Sequence, residues 1–188
     1  VGAAATLALG GLKAVPAQAV VRPPGGQDES TLIGACIHCE KCYEACPRDV
    51  IALGTFEDGL LNMRTPKMDF RYGYCDFCAE ENGGVPKWVA TCPTNALKLP
   101  ANATAETTII GIAEINTSWC LAYRRMFCRS CYDACPYEAI ILDDSNCPHV
   151  LTDVCNGCGA CESVCLSLTT GSIVVGETGL AIVVKPLE

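Results

Sequence analysis

The sequence predicts an α+β fold of short helices and short strands, arranged as tandem repeats with insertions. Three observations predict it. Sixteen of the 188 residues are cysteine, and all but one gather into four motifs. Each motif closes on a cysteine, and a short apolar run follows soon after. Large core-forming side chains are scarce, with four Phe and two Trp, so the chain needs staples besides an apolar core.

Residues 1–21 are small and apolar, interrupted by Lys13 and Pro16. The stretch is too short and too broken for a good membrane span. It has the look of an export signal's apolar region, with Ala17-Gln18-Ala19 as a small-residue cleavage site. An uncleaved anchoring segment is the alternative. Residues 22–30 contain Pro23, Pro24, Gly25 and Gly26 and read as a linker.

Residues 31–188 hold the repeats. The apolar runs are Val50–Leu53 after Cys46, Ala96-Leu97 after Cys92, Ala139–Leu142 after Cys135, and Ile173–Val175 after Cys165. Each unit reads as loop, helical turn, strand. Residues 172–184 read as two strands around Gly176-Glu177-Thr178-Gly179, a hairpin. Residues 54–74 and 100–119 lack cysteine and form insertions.

The first motif is Cys36-x2-Cys39-x2-Cys42-x3-Cys46-Pro47, and the last is Cys155-x2-Cys158-x2-Cys161-x3-Cys165. Two-residue gaps let a tight loop wrap one iron–sulfur cube and present three sulfurs. The fourth cysteine points away and ligates a neighbouring cluster. Proline after it suits the first turn of a helix. The third motif is Cys120-x7-Cys128-x2-Cys131-x3-Cys135-Pro136. The second has three cysteines, Cys75, Cys78 and Cys92, with Trp88 where a ligand is expected. Cys147 lies outside all four. Sixteen thiolates match four [4Fe–4S] clusters. Disulfides do not call for this repeated spacing, and zinc knuckles usually lack the Cys-Pro continuation. The pattern is that of tandem bacterial-type dicluster ferredoxin modules with insertions.

His38, between two ligands, reads as a solvent-side neighbour of a cluster. Tyr43, Phe77 and Tyr132 read as cluster shielding. Two histidines leave little for acid–base chemistry, and no nucleotide fingerprint is present, so the chain reads as an electron carrier without a catalytic site. The formal charge of −8 falls to about −16 with four clusters of charge −2 each. Such a surface argues against nucleic acid and against adhesion to anionic lipid, and for a partner with a basic face.

Arg22-Pro23-Pro24-Gly25 ahead of the first motif resembles the NapG/MauM-type periplasmic ferredoxins. So do Thr65-Pro66 ahead of Cys75, the x7 gap of the third motif, and the stretch Pro148–Val154 leading into Cys155. The resemblance covers roughly residues 20–175. It implies four [4Fe–4S] clusters, folding before export by the twin-arginine route, and a place on the outer face of the cytoplasmic membrane. It implies partners too: a membrane quinol-oxidising or quinone-reducing subunit, and an extracytoplasmic reductase, dehydrogenase or cytochrome. Two further readings are a four-cluster subunit of a molybdenum oxidoreductase or hydrogenase, and a maturation ferredoxin for a periplasmic enzyme.

Four-cluster relatives suggest nested pairing of the motifs. The outer module would join 31–53 with 148–188, and the inner module would span 70–142. Cys165 would complete the cluster of Cys36, Cys39 and Cys42, and Cys46 that of Cys155, Cys158 and Cys161. Cys92 would complete the cluster of Cys120, Cys128 and Cys131, and Cys135 that of Cys75 and Cys78. Sequential pairing is the alternative. The Cys75/Cys78/Cys135 site would then have three thiolates, enough for [3Fe–4S], unless Cys147 is the replacement ligand. The cysteine count favours Cys147 in that role.

Overall fold

The computed structural model describes residues 19–167 and 179–187. In chain order its elements are α1 (Glu29–Ala35), α2 (Lys41–Glu44), β1 (Ile51–Leu53), β2 (Pro66–Met68), α3 (Ala79–Asn82), α4 (Lys87–Thr91), β3 (Ile112–Ile115), α5 (Ser130–Ala134), β4 (Ile140–Leu142), β5 (Pro148–Val150), α6 (Ala160–Ser163) and β6 (Ile182–Lys185). This is the expected mixture of short helices and short strands. No helix among the described residues is long and apolar enough to cross a membrane.

The strands form antiparallel pairs. β1 pairs with β2 (Ile51 opposite Met68), β3 with β6 (Ile112 opposite Lys185), and β4 with β5 (Ile140 opposite Val150). The insertions are therefore structural: 54–74 supplies β2, and 100–119 supplies β3. Ala96-Leu97 forms no strand. Both side chains are buried, and the following Lys98 N–H bonds the Gly25 carbonyl at 3.0 Å. Two residues ahead of Pro100 are too few to make a ladder. Of the expected C-terminal hairpin, residues 172–178 lie outside the described residues, and its second arm is β6. Residues 1–18, including most of the export-like stretch, also lie outside them.

Residues 22–30 are no slack linker. Arg22 is 4% exposed and donates to Thr65 Oγ1 (2.8 Å), the Pro66 carbonyl (2.8 Å), Asn62 Oδ1 (2.7 Å) and Glu29 Oε2 (2.7 Å). A buried guanidinium persists only when its donors are matched, and its planar fork serves several acceptors at once. Pro23 and Pro24 are fully buried beside it. At Gly25, φ is +89°, and a Cβ would lie 2.9 Å from the Lys98 backbone, so glycine is required there. The segment straps the start of the domain to the turn before β2. Asp28 then caps α1, its carboxylate accepting from Thr31 N (3.1 Å). Leu32 anchors α1 in the core, a burial worth about 2 kcal/mol.

The two larger of three apolar regions carry most of the described interior. The first includes Leu32, Val50, Ile51, Phe70, Trp88 and Leu97. The second includes Ala113, Ala139, Ile140 and Ile182. Cysteines are members of both, as a thin core requires. Glu162 of α6 ties down β6 by accepting from Val184 N (2.6 Å).

Candidate iron–sulfur sites

The motif loops share one backbone device. His38 and Glu40 have positive φ in the first motif, and Gly157 and Gly159 hold the equivalent places in the last. Phe77 and Cys78 in the second motif and Phe127 in the third are also left-handed. Left-handed residues alternating with others turn successive N–H groups toward one point, a nest for a negatively charged group. Asp76 and Asn156, each one residue after a motif's first cysteine, brace their loops alike. Asp76 Oδ1 accepts from Cys78 N (2.9 Å), and Asn156 Oδ1 from Cys158 N (3.1 Å). The motifs show neither residue as a ligand, but an Asx side chain followed by a tight turn is the signal that could have found them.

A short helix precedes each closing cysteine, and its second residue is Cys42 in α2, Cys131 in α5, Cys161 in α6 and Trp88 in α4. The next cysteine stands four residues further on. Cys92 and Cys135 cap the ends of α4 and α5 in extended conformation. The prolines after them therefore end these helices and do not begin new ones, because the residue before proline is forced out of the helical region.

The thiols converge in four places. Cys36, Cys39, Cys42 and Cys92 line one small cavity, the first site. Cys120, Cys128, Cys131 and Cys165 line another, the third. Cys135, Cys155, Cys158 and Cys161 line the fourth. Cys46, Cys75 and Cys78 interact in the first apolar region and make the second site. The pairing is sequential: the first motif exchanges a cysteine with the second, and the third with the fourth. The nested arrangement is thereby overturned, together with its outer module 31–53/148–188 and its assignments of Cys46, Cys92, Cys135 and Cys165. The physical reason is local: α2 packs on α4 and α5 on α6, so neighbouring motifs fold together.

Cys147 belongs to none of these places. It sits in the β4–β5 turn, its N–H bonded to Asp143 Oδ1 (2.9 Å) and its sulfur facing the Ser145 carbonyl. Its neighbour is Tyr123, whose hydroxyl donates to the Pro148 carbonyl (3.2 Å). The short hairpin holds it there, so the replacement-ligand reading fails.

All sixteen cysteines are thiols without disulfide partners. Three sites offer four sulfurs each within apolar walls, the donor set that an iron–sulfur cube needs. A profile described as 4Fe-4S binding domain matches residues 33–53, 127–138 and 152–169. Ferredoxin-type protein NapG of Escherichia coli is 32% identical over 158 residues, 78% of this chain and 66% of its own length. The methylamine utilization ferredoxin-type proteins MauM of Methylobacillus flagellatus and Methylophilus methylotrophus are each 33% identical. They cover 89% and 96% of this chain, and 73% and 84% of their own lengths.

This chain belongs to the NapG/MauM ferredoxin-type family. Membership and the domain match support an iron–sulfur, electron-transfer role. In this NapG/MauM-type chain, burial pushes the Cys75 thiol up to about 12, with Cys46 and Cys158 adding to the rise. Burial likewise takes Cys131 to about 12 and Cys42 to about 11. Protons on such thiols must leave as iron binds, so folding and cluster assembly are coupled. Backbone N–H groups aim at the sulfurs in compensation, from Lys87 to Cys78, from Ala160 to Cys158 and from Tyr123 to Cys120. Cys92 falls below the ordinary thiol value: burial raises it, but N–H groups of Leu97, Thr94 and Ala96 and the Thr94 hydroxyl outweigh that.

His38 is exposed at the first site, as a solvent-side neighbour should be. Phe77 is buried at the second site and fits shielding. Tyr43 and Tyr132 are exposed, and Tyr132 lies under Arg129 at 5.2 Å, so they shield less than expected.

Proposed function

We propose that this chain relays electrons through four iron–sulfur clusters, as a subunit without a catalytic site. Its partners are a membrane quinol-oxidising or quinone-reducing subunit and an extracytoplasmic reductase, dehydrogenase or cytochrome. Three clusters would be held by the first, third and fourth sets of thiols, and one by Cys46, Cys75 and Cys78. When bound, the clusters supply one-electron chemistry at potentials set by their surroundings.

One observation carries the relay: Cys75 N–H donates to the Cys158 carbonyl at 2.8 Å. That bond joins the second site to the fourth and so the two halves of the chain. Within each half, two sites are bridged by cysteines four residues apart, about one helical turn. The sites therefore adjoin one another in the order first, second, fourth, third. The ends are open: Cys39 is exposed at the first site, and Phe127, 84% exposed, precedes Cys128 at the third. The middle is more enclosed: Cys46, Cys75, Cys78, Cys155, Cys158 and Cys161 are buried, and Cys135 is half-buried. Buried middle clusters with exposed ends are what a conductor between two docking partners requires.

The apolar residues 1–21 and the family relationship support a place outside the cytoplasmic membrane. Anaerobic analysis is expected to find about fifteen or sixteen iron and about sixteen sulfide per chain. Spheroplast fractionation and co-purification should place the protein outside the cytoplasm with a membrane subunit. About eight iron per chain, or a free cytoplasmic protein, would reject the four-cluster relay.

A further inference from the structure

We infer that the second site is a three-thiolate [3Fe–4S] site, with Trp88 in the place of a fourth ligand. The inference rests on the relay reading and narrows it to one position. Trp88 is the second residue of α4, the place that Cys42, Cys131 and Cys161 hold in α2, α5 and α6. At the other three sites that helix position delivers a thiol to its own motif's set. Here it delivers an indole, whose only polar atom is an N–H donor and cannot coordinate iron.

The indole is fixed. Trp88 is 1% exposed, and its Nε1–H donates to the Pro24 carbonyl at 3.3 Å. Pro24 is itself fully buried in the strap that Arg22 clamps. The ring is therefore held within the same apolar region as Cys46, Cys75 and Cys78. Cys147, Asp76 and Glu80 are engaged elsewhere. Cys147 sits in the β4–β5 turn beside Tyr123. Asp76 gives one oxygen to Cys78 N and the other to Arg48, and Arg48 also holds Glu80 at 2.7 Å. Cys46, Cys75 and Cys78 are all buried, which keeps water from serving as ligand. Three sulfurs, one for each iron, match a three-iron cluster.

The test is EPR and Mössbauer spectroscopy on oxidised, anaerobically purified full-length protein. The oxidised three-iron cluster is paramagnetic, whereas oxidised [4Fe–4S]²⁺ is silent. The expected result is a [3Fe–4S]⁺ signal of about one spin per chain, with about fifteen iron and sixteen sulfide. The signal should survive anaerobic incubation with ferrous iron and a thiol reductant, which would rebuild a damaged four-iron cluster. Trp88→Cys should abolish the signal and raise iron to about sixteen, whereas Trp88→Phe and Cys147→Ser should keep both signal and iron. An EPR-silent wild type with sixteen iron, or full conversion by ferrous iron, overturns the inference and leaves the relay standing. A chain with two clusters or none overturns the relay itself. The wild-type spectrum decides the matter even if Trp88→Cys does not fold.

Discussion

Arg22 does the work that the composition of its segment hides. Its side chain is enclosed, and its acceptors on Asn62 and Thr65 are enclosed as well. Removing the guanidinium takes one buried donor from each of the Thr65 hydroxyl, the Asn62 amide oxygen and the Pro66 carbonyl. Arg22→Ala is expected to cost about 2–4 kcal/mol. For a chain of this size that lowers the midpoint of thermal cluster bleaching by about 5–15 °C. Because the same strap supplies the Pro24 carbonyl to Trp88, the second site should bleach first. Bleaching of all sites together, at the wild-type temperature, would show that the clamp does not matter. Cys147 is the opposite case: a buried thiol with a local structural place and no cluster, a common fate for cysteine.

At the scale of the element, the short helices deserve their weight because each aims one side chain. Among the described residues no helix has more than seven residues, so none is stable by propensity; each is held by its loop and by packing. Gly159 shows how tight that packing is. Its φ is +84°, and a Cβ would fall 2.1 Å from the Phe70 ring, which belongs to the first apolar region. Gly159→Ala should therefore cost about 2–5 kcal/mol, from the left-handed backbone and the overpacking together. It should lower iron incorporation at the fourth site. Adding Phe70→Ala should restore part of the iron by opening the space, and no recovery in the double variant would locate the damage elsewhere. At Gly157 a Cβ would meet the Gly111 backbone at 2.4 Å, so the insertion presses on the same loop from another side.

At the scale of the whole molecule, charge and order of sites matter together. The formal charge of −8 becomes more negative when clusters form. Electron transfer to a partner with a basic face should slow as salt rises, since the screening length shrinks from about 30 Å at 0.01 M to about 8 Å at 0.15 M. Stopped-flow reduction across that range measures it. A rate that is flat or rises with salt would point to apolar docking, to which the exposed Phe56, Leu60 and Leu61 could contribute. On the proposed relay, the path from the first site to the third crosses the bond between Cys75 and Cys158, which ties the two halves together.

Much of this was legible in the cysteine spacing. The repeat, the mixture of short helices and strands, and fifteen thiols gathered into sets follow from x2-x2-x3 gaps, because a cube needs sulfurs at fixed separations. Trp88 could be read as a non-ligand from its chemistry alone. The partner of each motif could not be read, since spacing specifies a loop but carries no address for the fourth sulfur. That address depends on which helices pack together: α2 met α4, and Cys46 went to Cys75 and Cys78. Counting misled at Cys147, because a total of sixteen is blind to where a β-turn holds its side chain. Composition misled at residues 22–30, because prolines and glycines look like a tether until a buried arginine finds Thr65 and Asn62 some forty residues away. Local chemistry is written along the chain; long-range assignment is settled by packing, where distant residues compete for the same enclosed space.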